Sequence, residues 1–84
     1  MKAPKKLRGI RDFIPFLDYL DSINVFYRIE KCRYEAIMVT FTVIRARIEL
    51  EFFDDHIEYS VFRGSEDVSD DDREIFRIIS DYIK

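Results

Sequence analysis

Hydrophobic residues change their spacing twice along this chain, and the changes divide it into a helix, a set of strands and a second helix. Between Phe13 and Leu20 apolar residues recur every three or four positions, as on one side of a helix. From Asn24 to Phe62 apolar and charged residues alternate, which is the period of a strand with one buried face. The helical period returns at Ile75. The pattern predicts an α+β fold with the element order α-β-β-β-β-α.

The first helix is predicted to begin near Asp12, whose side chain is suited to cap it, and to end at Asp21-Ser22. Pro15 falls in the first turn, where its missing N–H costs nothing. The eleven residues before the helix contain five basic side chains with one proline and one glycine. This composition predicts a basic flexible tail over residues 1–11 and a single domain over residues 12–84.

The alternating region divides into four strands that can share one apolar face. A two-residue turn at Asp54-Asp55, another at Ile44-Arg45 and a three-residue turn over 33–35 place apolar residues opposite one another in every pair. Such turns join neighbouring antiparallel strands, so the prediction is a four-stranded antiparallel meander. The predicted strands are Val25–Lys31, Ala36–Val43, Ala46–Phe53 and His56–Phe62.

The second helix is predicted to begin at Ser69, which can cap it, with three aspartates in its first turn at the positive end of the helix dipole. Its apolar stripe consists of Ile75, Phe76, Ile79, Tyr82 and Ile83. Neither helix lies between two strands, so no parallel crossover is required. We therefore expect both helices on one face of the sheet.

Length and composition are those of one small domain with a large aromatic content. The 84 residues suffice for one core and not for two, and they are 48% hydrophobic and 15% aromatic. No apolar run approaches the roughly 18 residues that a membrane-spanning helix needs, and the single cysteine, Cys32, cannot form an internal disulfide. The sequence predicts a cytoplasmic protein that does not bind membranes.

Charge is divided unevenly along the chain, whose net charge is −3. Residues 1–33 carry eight basic and four acidic side chains, whereas residues 34–84 carry six basic and thirteen acidic ones. Between residues 49 and 74 there are eleven acids, offset only by Arg63 and Arg73. This distribution disfavours nucleic acid as a partner and favours a basic protein.

Patterns that would predict catalysis or a cofactor are weak. His56, Glu58 and Ser60 would share one face of a strand, but such spacing also follows from simple outward alternation. Asp54, Asp55 and His56 together with Glu58 could ligate a hard cation, although acidic residues at a hairpin tip commonly serve turn geometry and solubility. The two glycines are isolated, so there is no phosphate-binding loop. We expect no catalytic site, metal or cofactor.

The segment RIELEFFDDHIEYSVFRGSEDV, residues 47–68, resembles small bacterial immunity proteins of contact-dependent inhibition and polymorphic-toxin systems. The resemblance implies a protein that binds and blocks a cognate toxin. Such toxins are commonly nucleases, whose active sites are basic because they hold phosphates.

Two surfaces are candidates for the contact with a protein partner. The first is acidic and consists of Asp54, Asp55, Glu58, Glu66, Asp67, Asp70, Asp71 and Asp72. The alternative is a non-catalytic interaction module or subunit that binds through the sheet face turned away from the helices, at Phe26, Arg28, Arg47 and Phe62. The chain is expected to be a monomer, or a homodimer through an edge strand, either Val25–Lys31 or His56–Phe62.

Overall fold

The computed structural model describes residues 6–33, 35–43, 46–62, 66–69 and 72–83. A short 3₁₀ turn precedes the first helix, and the remaining elements follow the predicted order with one addition. The α+β prediction is confirmed, with a helix at each end of an antiparallel meander. The elements are the 3₁₀ turn Ile10–Asp12, α1 Phe13–Ser22, β1 Tyr27–Arg33, β2 Ala36–Val43, β3 Ala46–Phe52, β4 Ile57–Phe62, β5 Glu66–Ser69 and α2 Asp72–Ile83.

The strands pair in sequence order, β1-β2-β3-β4-β5, and every pair is antiparallel. Leu50 on β3 lies opposite Val39 on one side and Tyr59 on the other, as the alternation predicts. Ile29 on β1 completes this row opposite Val39. The predicted register is confirmed for these pairs. A shift of one residue would have turned the charged positions of a strand into the core.

The predicted geometry of β1 is wrong at both ends. The strand begins at Tyr27 and not at Val25. At the other end Arg33 pairs with Ala36, so it does not belong to a three-residue turn, and the ladder is irregular between Glu30 and Arg33. This bulge takes up the extra residue, which is why the register in the middle of the strand still agrees with the prediction.

A fifth strand occupies residues predicted to form the approach to the second helix. Glu66 pairs with Phe62 and Ser69 with Tyr59, so Ser69 lies in β5 and does not cap α2. The helix begins three residues later, at Asp72. Because β5 covers β4, the predicted edge strand His56–Phe62 is not an edge of the sheet.

Packed structure begins before the predicted domain boundary at Asp12. Leu7 is 5% exposed and belongs to the core, and the Ile10 N–H donates to the Phe53 carbonyl over 2.7 Å. Asp12 stands at the N-terminus of α1, but its side chain makes no capping hydrogen bond there. The predicted cap is therefore wrong. Residues 1–5 of the predicted tail lie outside the described residues.

The core lies between the two helices and one face of the sheet, as predicted. Phe16 of α1 is fully buried, and its ring centroid lies 5.7 Å from that of Phe41, 5.9 Å from that of Phe52 and 6.1 Å from that of Phe76. One side chain thus connects α1, the sheet and α2. Ile78 is buried although it lies outside the predicted stripe of α2.

Candidate protein-binding surface

The face of the sheet turned away from the helices, here called the outer face, is the part of the molecule whose side chains the core does not use. Along β2, β3 and β4 its residues alternate with buried ones. The register sets them in rows that run across the strands. On β1 to β4 they are Arg28, Glu30, Met38, Thr40, Thr42, Arg47, Glu49, Glu51, Glu58, Ser60 and Phe62.

One end of the outer face is acidic and adjoins the β3–β4 turn. Glu51 lies directly opposite Glu58, and Glu30 falls in the same row beyond Met38. Asp54 and Asp55 are exposed in the adjoining turn. We call Glu30, Glu51, Asp54, Asp55 and Glu58 the acidic end. The predicted two-residue turn is consistent with the bond from the Phe53 N–H to the His56 carbonyl, 2.9 Å long.

His56 links two carboxylates of the acidic end. Its Nδ1 lies 2.8 Å from Asp55 Oδ1 and its Nε2 lies 3.0 Å from Glu58 Oε2. The ring is stacked on the buried Phe53, with centroids 4.4 Å apart and planes 7° from parallel. A carboxylate only accepts hydrogen bonds, so both contacts are satisfied together when both ring nitrogens carry protons.

These contacts change the titration of both partners. The hydrogen bond to Asp55, followed by that to Glu58, raises the pKa of His56 above its ordinary value. The same bond to His56 lowers the pKa of Asp55. All three side chains are substantially exposed. The negative charge of the acidic end therefore depends on the protonation of one histidine.

The opposite end of the outer face combines aromatic and basic side chains. Phe26 is 93% exposed, immediately before β1. The Arg47 guanidinium lies 4.5 Å from the centroid of the Phe62 ring, a cation–π distance. Phe26, Arg28 and Arg47 line a shallow groove of about 480 Å³, together with Thr40. The Thr40 hydroxyl is buried without a hydrogen-bond partner among the described residues.

We call Phe26, Arg28, Arg47 and Phe62 the aromatic corner; they are the residues of the second predicted surface. The ion pairs made by its arginines run along the strands toward the acidic end. Arg28 lies 3.3 Å from Glu30, and Arg47 lies 3.8 Å from Glu49. All of these side chains are at least one-third exposed, so each pair contributes little to stability.

Residues predicted as two alternative surfaces meet on one face. Glu58 and Phe62 lie on the same side of β4, because their positions differ by four residues of a strand. Of the other predicted acids, Glu66 and Asp67 lie in β5, where Glu66 pairs with Phe62, and Asp72 is the first residue of α2. Asp70 and Asp71 lie outside the described residues.

The predicted site omits two residues of the acidic end, Glu30 and Glu51. The predicted register places Glu51 opposite Glu58, so the signal for Glu51 is the pairing of two like charges rather than the density of acids along the sequence. Glu49 precedes it by two residues on the same face, opposite Ser60.

The groups considered for catalysis are only partly brought together. His56 contacts Glu58, and Ser60 follows on the same face of β4. Within the described residues no group of three or more histidine, cysteine, aspartate or glutamate side chains is arranged to hold a metal ion. Neither α1 nor the described part of α2 is long and apolar enough to cross a membrane.

No protein-family model, no curated protein and no solved structure matches this chain.

Proposed function

We propose that this chain is a non-catalytic protein-binding domain that blocks a basic protein, as a toxin immunity protein does, and that the acidic end makes the contact. The observation that supports this most directly is the position of Glu51 opposite Glu58. Like charges directly opposite one another destabilise an antiparallel pair. The pairing nevertheless sets two carboxylates side by side on the outer face, where one cationic group of a partner can contact both.

The charge distribution supports a basic partner. Eleven acids and two arginines lie between residues 49 and 74, and five of those acids belong to β3, β4 and the turn between them. A nuclease is a suitable toxin class, because a site that holds phosphates is itself basic. The acidic end would occupy that site and exclude the substrate. Association would be fast and would slow as salt screens the charges.

The test partner would be a toxin-like protein encoded beside this chain, with its catalytic residue inactivated. The variant Glu51→Gln/Glu58→Gln preserves side-chain size and removes two charges. We expect it to weaken binding at least about tenfold, equal to about 1.4 kcal/mol. The matched control, Asp18→Asn/Glu74→Gln, removes two charges from the exposed surfaces of the helices and should leave affinity within about twofold.

Two results would contradict the proposal. Absence of a complex with that toxin at low salt would exclude the immunity function. Equal affinity of the wild-type chain and Glu51→Gln/Glu58→Gln would exclude the acidic end as the contact.

A second candidate function is a general interaction module or subunit that binds through the aromatic corner. The observation that favours it is the 93% exposure of Phe26, which the fold does not require. Aromatic and arginine side chains carry much of the binding energy in protein interfaces. Affinity at this corner would persist in salt, because it would depend chiefly on apolar burial.

The two candidates differ in which substitutions matter. With the same partner, Phe26→Ser/Phe62→Ser should abolish binding through the aromatic corner, whereas Asp54→Lys/Asp55→Lys should not. Binding through the acidic end predicts the reverse. Repeating both measurements at about 50 mM and about 500 mM salt separates the screened contact from the apolar one.

A further inference from the structure

The sheet ends at β1, whose described part has a neighbouring strand on one side only, β2. The ladder with β2 is regular from Tyr27 to Glu30 and becomes irregular before Arg33. A regular strand at a sheet edge offers its backbone to a further strand. Since β5 covers β4, β1 is the remaining one of the two edges considered for self-association.

Apolar side chains border this edge without being covered. Ile29 is 50% exposed although it occupies an inward position on β1, in the same row as the fully buried Val39 and Leu50. Ile14 of α1 is 60% exposed. The side of α1 that carries Ile14 also carries Asp21, which hydrogen-bonds the Tyr27 side chain on β1. Both isoleucines therefore border the β1 side of the molecule.

The sequence at the centre of β1 is complementary to itself. We propose that a second copy of this chain pairs with β1 antiparallel, with Ile29 of each copy on the two-fold axis. Arg28 of each copy then lies opposite Glu30 of the other, and Ile29 lies opposite Ile29. Opposite charges and apolar side chains in such positions stabilise an antiparallel pair. The contact is isologous, as in a closed dimer.

Neighbouring registers do not have this complementarity. A shift by two residues in one direction places Arg28 opposite Arg28, and a shift in the other direction places Glu30 opposite Glu30. A shift by one residue sets the inner side of one strand against the outer side of the other. Among these neighbouring registers, the one centred on Ile29 avoids like charges and keeps the two cores on one side of a continuous sheet.

The irregularity after Glu30 limits how far the intermolecular ladder extends. A short ladder with a few apolar contacts buries less surface than a permanent dimer. We therefore expect a dimer that dissociates on dilution. The pairing uses Glu30 of the acidic end but leaves Glu51 and Glu58, which lie on β3 and β4, uncovered. A dimer therefore still presents these two carboxylates to a partner.

The first test is the molar mass of the chain alone, measured by sedimentation across a wide concentration range. Wild-type protein should move from the 10.2 kDa of one chain toward twice that value as concentration rises. Arg28→Glu and Glu30→Arg should each weaken dimerisation at least about tenfold by placing like charges opposite one another. The exchange Arg28→Glu/Glu30→Arg restores the opposite charges and should restore the dimer.

Circular dichroism should show the same fold for all four proteins. A monomer at every concentration would overturn the proposal. So would single reversals that leave the dimer unchanged, or an exchange that fails to restore it.

The second test determines the register between the two β1 strands by disulfide trapping, in a chain that carries Cys32→Ser. Residues opposite one another in an antiparallel pair have Cα atoms about 4.5–5.5 Å apart, within disulfide range. Ile29→Cys should cross-link to itself under mild oxidation. The controls Arg28→Cys and Glu30→Cys lie opposite each other rather than opposite themselves, so each alone should cross-link much more slowly. Faster cross-linking of either control than of Ile29→Cys would refute this register.

Discussion

Arg8 holds the carboxylate of Asp12 with three hydrogen bonds. The backbone N–H and the Nε of Arg8 donate to Asp12 Oδ2 over 2.7 and 3.0 Å, and Nη2 donates to Oδ1 over 2.9 Å. Asp12 is only 5% exposed, while about half of the Arg8 side chain remains in solvent. Both oxygens of the carboxylate accept hydrogen bonds from Arg8, four residues earlier in the chain. This explains why the carboxylate does not cap the helix. The residue next to Arg8, Leu7, belongs to the core.

We predict that Asp12→Ala lowers the free energy of unfolding by about 1–3 kcal/mol, because it removes the three hydrogen bonds that Arg8 donates to this buried carboxylate. Urea denaturation measures this change. Asp18→Ala is the matched control, since Asp18 is an exposed aspartate of α1, and it should change stability by less than about 0.5 kcal/mol. If Arg8→Ala and Asp12→Ala have additive effects in a double-mutant cycle, the two residues do not stabilise the fold as a pair.

The contact between Arg8 and Asp12 also makes the free energy of unfolding depend on pH. Hydrogen bonding from Arg8 holds the pKa of Asp12 below its ordinary value. A group whose pKa is lowered by folding contributes stability above its unfolded pKa and loses it as pH falls through the folded pKa. The stability difference between wild type and Asp12→Asn should therefore shrink as the solution is acidified below about pH 4. A difference that stays constant down to pH 2 would contradict this.

Gly9 is required where the N-terminal segment meets the β3–β4 turn. Its φ is 149°, and a Cβ at this position would lie 2.7 Å from the Asp54 carbonyl oxygen and 2.8 Å from that of Phe53. Both atoms belong to the backbone and cannot rotate away. We predict that Gly9→Ala costs at least about 1–3 kcal/mol, the cost of such a backbone conformation for a residue with a side chain.

Hydrogen exchange can show where that cost appears. In Gly9→Ala the Ile10 amide, which donates to Phe53, should lose protection before the Ile48 amide in the central strand β3. Lys6→Ala, an exposed substitution in the same segment, should leave both amides protected. Equal protection of Ile10 in wild type and Gly9→Ala would show that the segment accommodates the added methyl group.

The sheet register follows from local information, whereas the N-terminal segment and β5 do not. Alternation along β2 to β4 leaves one register in which apolar residues share a face, and the structure has that register. Leu7 is a single apolar residue among basic ones, and its burial depends on the contact of Gly9 and Ile10 with a turn more than forty residues away. The spacing of hydrophobic residues within one segment does not indicate a contact with a distant segment.

The fifth strand was missed for a related reason. Residues 66–69, Glu-Asp-Val-Ser, have one apolar side chain and the composition of a helix-entry loop. They form a strand because β4 offers a regular edge with which their backbone can pair. For the candidate site, the composition of residues 49–74 indicates an acidic surface but does not indicate how the acidic side chains are arranged. Only the register showed that Glu51 faces Glu58, and only the structure showed that His56 contacts both Asp55 and Glu58.

Asn24 ends α1 by adopting a left-handed backbone conformation. Its φ is 59°, its N–H donates to the Asp21 carbonyl, and the Val25 N–H donates to the Leu20 carbonyl. This is the pattern of a Schellman motif, in which the left-handed position is usually glycine and sometimes asparagine. Leu20 and Val25 are both buried, which supplies the apolar contact that accompanies the motif.

We predict outcomes of different size for two substitutions at this position. Asn24→Ala should lower the free energy of unfolding by about 1–2 kcal/mol, because a Cβ disfavours the left-handed region. Asn24→Gly removes the same side-chain amide but keeps that region accessible, so its effect should be small. Thermal or urea denaturation measures both. Equal destabilisation by alanine and glycine would show that the side chain, and not the backbone conformation, matters at this position.

His56 predicts a pH-dependent step in the charge of the acidic end. A titration followed by NMR should give its ring a pKa above 6.5, the ordinary value. Asp55→Asn should lower that pKa more than Glu58→Gln does, because Asp55 makes the larger contribution. Protonated His56 removes one unit of negative charge from the acidic end. Affinity for a basic partner should therefore rise as pH increases through the pKa of His56, and His56→Gln should remove this step.

The effect on folding has the opposite direction. Because folding raises the pKa of His56, its contacts contribute stability below the unfolded pKa and lose it as pH rises through the folded pKa. Asp55, whose pKa is lowered, contributes above its own unfolded pKa and loses that contribution in acid. The contact between His56 and Asp55 is thus strongest at pH values between the pKa of Asp55 and the pKa of His56. In that range the histidine is protonated and the aspartate is ionised. An NMR pKa of 6.5 or lower for His56 would refute the whole arrangement, including the pH dependence of binding.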